Sequence, residues 1–239
     1  MGISRIKERL FPLAAGIAVV LVLGACGAKT LPKDLSDTNR YAQLRQSLAK
    51  GEKYIVLTEV EGTNVKHGKI IGVVDAPIDL VWAVTTDYRN LSKIMPVLED
   101  VQLTEAKGRT VVYQMRFGLT GVPLKYNVTS SFVHFPEAYR VEWTYIRGDI
   151  RNTYGSYSMR PFGTDRTEVT LSMLMDLSGT AVGPFAQTGA GVVLPMMADR
   201  LRELVKSDVY KQGPPPLPEY ARRSSAPPTP IDMRFAEFD

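Results

Sequence analysis

Between residues 97 and 177 the sequence repeats one pattern six times without interruption, a strand-like run of roughly ten residues followed by a turn signal. The runs cover 97–105, 109–117, 124–135, 139–147, 150–160 and 166–177, with AKG, FPEA, RGD and FGTD among the punctuating stretches. In several runs every second residue is apolar, as in Val111, Tyr113, Met115 and Phe117, and again in Val169, Leu171, Met173 and Met175. Successive side chains of a strand point to opposite faces, so this series demands an antiparallel sheet with one face covered. The cover is encoded next. After Leu177 comes a stretch whose second half is amphipathic, with Met197, Leu201, Leu204 and Val205 on one side and Arg200, Arg202, Glu203 and Lys206 elsewhere. Pro195 should kink this helix or mark where its regular part begins.

Upstream, YIVLTEV and VKHGKIIGVV flank EGTN and read as a hairpin. The period then changes. In APIDLVWAVTTDYRNLSKIMP, Pro77 suits a first helical turn and Ile78, Val81 and Trp82 recur at helical spacing, with a second short helix stopping before Pro96. The fold class is α+β.

The first 26 residues have the parts of an export signal: the basic stretch ISRIKER, the apolar stretch LFPLAAGIAVVLVL, and Gly24 and Ala25 before Cys26. LGAC resembles a bacterial lipobox. That resemblance implies that residues 1–25 are removed and that Cys26 is acylated and becomes the N-terminus, a membrane anchor. Gly27 after the cysteine then favours the outer membrane, facing the periplasm, within the bacterial cell envelope. Cys26 is the only cysteine, so no disulfide is available to the domain. Residues 26–52 read as a lipidated N-terminus and polar tether with one short helix capped by Ser36 or Asp37, residues 53–212 as the domain, and residues 213–239 as a Pro-rich disordered tail. Of the formal charge of +4, half lies in the first nine residues. No basic run with interleaved aromatics follows, which excludes nucleic acid as a partner.

The order of strand, two short helices, antiparallel strands and long C-terminal helix resembles the START-like helix-grip superfamily, specifically its polyketide cyclase/coenzyme-Q-binding type. The residues carrying the resemblance are Ala76-Pro77, Val81-Trp82, Asp87-Tyr88 and Pro96, and it spans roughly residues 65–210. It implies a curved antiparallel sheet wrapped around the C-terminal helix with a cavity between them. The superfamily hosts lipid carriers, receptors, cyclases and hydrolases, so the fold alone leaves function open.

The sequence supports a cavity independently. Alternation places Tyr113, Met115, Phe117, Tyr126 and Phe132 on apolar-rich faces, together with Trp143, Tyr145, Tyr157, Met173 and Met175. Methionines repack readily around irregular apolar shapes. Opposite them, Gly183, Phe185, Gly189 and Met197 belong to the segment leading into the last helix, whose glycines suggest a thin wall or a gate. The expected ligand is a lipid or isoprenoid-like molecule. Two other readings remain: a polyketide-type cyclase or dehydratase using cavity tyrosines with an arginine or aspartate, and an envelope interaction module with a filled core.

No catalytic constellation, metal site or cofactor motif stands out. His67 and His134 lack neighbouring nucleophile or carboxylate patterns and read as structural or solvated. Asp75, Asp79 and Asp87 read as caps, and Arg116, Arg147, Arg151 and Arg160 as an outer face. The closing residues IDMRFAEFD carry Ile231, Met233, Phe235 and Phe238 and suit a protein partner of the tail.

Overall fold

A computed structural model of the chain describes residues 27–31, 38–119, 122–135, 138–183, 186–211 and 213–222. Its centre is one nine-stranded sheet in the order β1-β2-β3-β9-β8-β7-β6-β5-β4. The strands are β1 (Ala28–Thr30), β2 (Lys53–Glu59), β3 (Lys66–Val74), β4 (Leu98–Lys107), β5 (Thr110–Leu119), β6 (Val122–Phe135), β7 (Ala138–Gly148), β8 (Asn152–Pro161) and β9 (Thr167–Asp176). Every pairing is antiparallel except β1 with β2. The expected hairpin is present as β2–β3, with Tyr54 opposite Ile71. Register shifts in β4 and at Asn127/Val128 of β6 mark bulges, where a strand bends.

The helices are α1 (Thr38–Ala49), α2 (Ile78–Thr86), α3 (Leu91–Ile94) and α4 (Ala186–Val205). Pro77 occupies the position just before α2, where its missing N–H costs nothing and its φ of −58° is already set. Asp87 ends α2 in an extended conformation and accepts a hydrogen bond from the Arg89 backbone N–H, capping the short 3-10 turn Tyr88–Asn90. Helix α4 runs through Pro195 and lies on the inner face over β3 and β9. Gly68 permits that approach, because a Cβ there would sit 2.5 Å from Leu194 Cδ1 and 2.9 Å from Ala190 Cβ. Two polar contacts fix the helix: Lys53 Nζ donates to both Asp199 carboxylate oxygens at 2.6 Å, and Arg202 Nε donates to the Val73 carbonyl at 2.9 Å.

Two expected segment assignments are corrected. The tether is partly built into the domain: β1 extends the sheet, and α1 packs Leu44 and Leu48, with Leu31, against Ile71, Val73 and Phe162 on the outer face. The residues proposed to cap its helix, Ser36 and Asp37, lie outside the described residues. The start of the Pro-rich tail is also ordered. Residues 208–211 and 213–222 form a strap with two 3-10 turns, Asp208–Tyr210 and Glu219–Ala221, burying Tyr210, Tyr220 and Ala221. Trp82 Nε1 donates to the Ala221 carbonyl at 2.9 Å, the Tyr220 hydroxyl to the Thr86 carbonyl at 3.2 Å, and Asn90 Nδ2 to the Tyr210 hydroxyl at 2.6 Å. Strap composition reads as unstructured, yet its few large side chains find partners on α2 and on the 3-10 turn that follows it. The remainder of the tail, including Ile231, Met233, Phe235 and Phe238, lies outside the described residues, as do residues 1–26 with Cys26. Among the described residues no helix is long and apolar enough to cross a membrane.

Candidate functional site

The inner face of β5 to β9 and the short helices enclose a cavity of about 40 Å³. Strand alternation supplies most of the wall: Tyr113 and Met115 from β5, Tyr126, Val128, Ser130 and Phe132 from β6, Val141 and Trp143 from β7, Thr153 and Tyr157 from β8, and Met175 from β9. Thr85 of α2, Leu91 of α3, Met95 and Leu98 close it from the other side. At about one water per 10–15 Å³, this volume holds roughly three waters. A larger guest must displace part of the wall, and Met95, Met115 and Met175 are its most adaptable members.

The shape of the floor depends on one glycine. Gly155 pairs with Trp143 on one side and Met173 on the other, and a Cβ there would fall 2.3 Å from Trp143 Cζ2 and 2.2 Å from the Ser172 carbonyl. The indole therefore lies across β8, with its ring 5.5 Å from that of Tyr157.

Among the described residues no wall side chain carries an acid, an imidazole, an ammonium or a guanidinium; the polar groups are hydroxyls and the Trp143 indole N–H. Thr85 and Thr153 donate theirs to the Val81 and Leu174 carbonyls. Burial pushes the Tyr113, Tyr126, Tyr157 and Tyr220 phenols above their ordinary value of 10.0, so all four are protonated at neutral pH. Tyr113 and Tyr220 also share a hydrogen bond. Tyr220 packs its ring 5.0 Å from Phe132, so the strap stands directly behind the cavity wall.

Seven of the expected ligand residues line the cavity: Tyr113, Met115, Tyr126 and Phe132, with Trp143, Tyr157 and Met175. Others are elsewhere. Phe117 and Met173 are buried in the surrounding core, and Met197 is fully buried on α4. Tyr145 is partly exposed and donates to the Gly148 carbonyl at 3.0 Å. Gly183 and Gly189 do not contribute to the wall, and Phe185 lies outside the described residues. The sequence reading missed Thr85, Leu91 and Met95, because the helical face that meets a sheet is set by docking, and Leu98 of β4, where a register shift before Asp100 breaks the alternation; Val128, Ser130, Val141 and Thr153 follow from the alternation that found their neighbours.

The other polar residues fall outside the cavity. His67 shares a 2.8 Å hydrogen bond with Ser172 and stacks on Tyr154, and burial holds its imidazole below the ordinary value. His134 lies between Trp82 and Tyr139, at ring distances of 4.7 and 4.9 Å. Asp79 accepts from the Tyr139 hydroxyl, and Asp75 pairs with Lys206. Among the described residues no three metal-binding side chains cluster.

Comparison with known proteins follows this geometry. The family described as polyketide cyclase/dehydrase and lipid transport matches residues 74–202. No curated protein matches the chain. Among solved structures, human StAR-related lipid transfer protein 5 superposes with a TM-score of 0.55 at 11% identity, covering 70% of this chain and 97% of the other. A STAR-related lipid transfer protein from Xanthomonas axonopodis gives 0.51 at 16% identity, over 63% and 93% of the two chains. An aromatase/cyclase from Streptomyces gives 0.50 at 15% identity, over 62% and 97%. These likenesses concern the fold.

Proposed function

The chain belongs to the polyketide cyclase/dehydrase and lipid transport family, and from that premise we propose that it binds and carries a hydrophobic molecule, a lipid or isoprenoid-like species, while tethered to a bacterial membrane through Cys26. The observation that carries this reading is the wall of the cavity: aromatic, methionine and aliphatic side chains with hydroxyls and no charged group. Such a wall holds an apolar guest by excluding water. It favours carriage over cyclase or dehydratase chemistry, since none of its side chains is poised to exchange a proton near neutrality.

Two features support tethering. The apolar run ends at a cysteine, and two acyl chains or more give stable anchoring where one does not. Strand β1 begins at Ala28, so a single residue, Gly27, separates Cys26 from the sheet, two Cα steps or a reach of about 8 Å. An acylated chain would therefore hold this domain close to the bilayer, within range of a guest leaving it.

The test is native mass spectrometry with lipid extraction on residues 27–239 recovered from a bacterial periplasm. A stoichiometric apolar molecule is the expected result. A protein that stays empty after incubation with membranes would leave the interaction-module reading in its place. For the anchor, Cys26→Ala should move the protein from the detergent phase to the aqueous phase; unchanged partitioning would remove Cys26 from the account.

A further inference from the structure

The wall also constrains the chemistry of what it can hold. Three of the six cavity hydroxyls are already engaged: Thr85 and Thr153 bond to backbone carbonyls, and Tyr113 bonds to Tyr220. Among the described residues Ser130, Tyr126 and Tyr157 have no such bond, and the last two are the phenols among them. They are 1% and 4% exposed, both line the cavity, and neither phenol oxygen has a hydrogen-bond partner among the described residues. Buried hydroxyls are normally satisfied, so two phenols facing one cavity with no partner among the described residues call for acceptors held within that cavity. Burial alone accounts for their raised ionisation, which keeps both as donors at neutral pH.

The same wall offers nothing to a charge. A carboxylate or phosphate group drawn inside would lose its water and find no cation. A plain hydrocarbon has the opposite defect, because it would leave both phenols unpaired. We propose that the guest is an uncharged, largely apolar molecule whose carbonyl, ether or hydroxyl oxygens accept hydrogen bonds from Tyr126 and Tyr157. This inference rests on the carrier reading and narrows it to neutral oxygenated lipids.

The phenols address different parts of such a molecule. Tyr157 pairs with Val141, which pairs with Phe132, whereas Tyr126 lies six residues away along β6. The two side chains therefore enter the cavity from different positions along the strands.

The experiment measures affinity for four probes of equal chain length delivered from cyclodextrin at pH 8: dodecanol, 2-dodecanone, dodecane and dodecanoate. The protein is the chain beginning at Gly27, which retains every contact described above. Dodecanol and 2-dodecanone are expected to bind at least tenfold more tightly than dodecanoate. Tyr126→Phe or Tyr157→Phe should weaken the alcohol or the ketone about three- to tenfold, and leave dodecane within about twofold. Dodecanoate binding as tightly as dodecanol would overturn the inference, as would alcohol and ketone affinities unchanged in both variants. Failure of all four probes to bind would overturn the carrier reading itself. A readout without ligand separates guest binding from a structural role: each Tyr→Phe variant should melt at or above the temperature of the parent, since it removes an unpaired hydroxyl and keeps the ring. A fall of several degrees in both would show hydroxyls bonded within the protein and would also overturn the inference.

Discussion

Gly155 and the buried tyrosines set the behaviour of the cavity one side chain at a time. Gly155→Ala would drive a methyl group into Trp143 and the Ser172 carbonyl, and only the indole can give way. The expected cost is about 1–3 kcal/mol in urea unfolding, with a shift in tryptophan emission as the ring leaves its place. The phenols give a pH dependence of definite sign. Tyr113, Tyr126, Tyr157 and Tyr220 ionise above the ordinary 10.0 when folded. The unfolded chain therefore loses their protons first, so their stabilisation is complete below pH 10 and declines above it. Of the eleven tyrosines, these four should gain their 295 nm tyrosinate absorbance only together with loss of far-ultraviolet dichroism. Free titration of all eleven in a folded protein would contradict their burial.

Among the elements, the strap makes the largest contribution that periodicity could not reveal. Trp82→Phe removes the only donor given to the Ala221 carbonyl among the described contacts, and Ala221 is 0% exposed. The expected loss is about 1–3 kcal/mol, read as a lower urea midpoint. Deleting residues 213–239 should cost at least as much, because Tyr220 leaves Phe132 and Thr86 as well. An unchanged midpoint in the deletion would show that the strap adds nothing to the fold. The strands and the long helix were legible because their patterns repeat over many residues. β1 has three residues and the strap depends on isolated aromatics among prolines, so neither carries a period to detect. Half of the site was legible for the same reason: strand alternation finds Tyr113, Tyr126 and Phe132, but α4 cannot be aimed from sequence. Gly68 lets α4 close onto β3, which turns Met197 into core and leaves the cavity to α2 and α3.

For the molecule as a whole, the sheet has helices on both faces at one end and a cavity at the other, with both flanking segments folded onto it. The strand order also sets a schedule in time. β3 has β2 as an early partner, but its other edge must wait for β9, about a hundred residues later in the chain. Trp82 waits longer, since the carbonyl it binds belongs to a residue 139 positions downstream. Contacts of such separation form late, after the entropy of closing long loops has been overcome. A chain delivered N-terminus first thus emerges with β3 half-paired and the seat of the strap vacant, and it remains pliable until nearly all of it has arrived. Under the proposed export, that delay would keep the chain pliable during passage, because the strap that seats against Trp82 is delivered late.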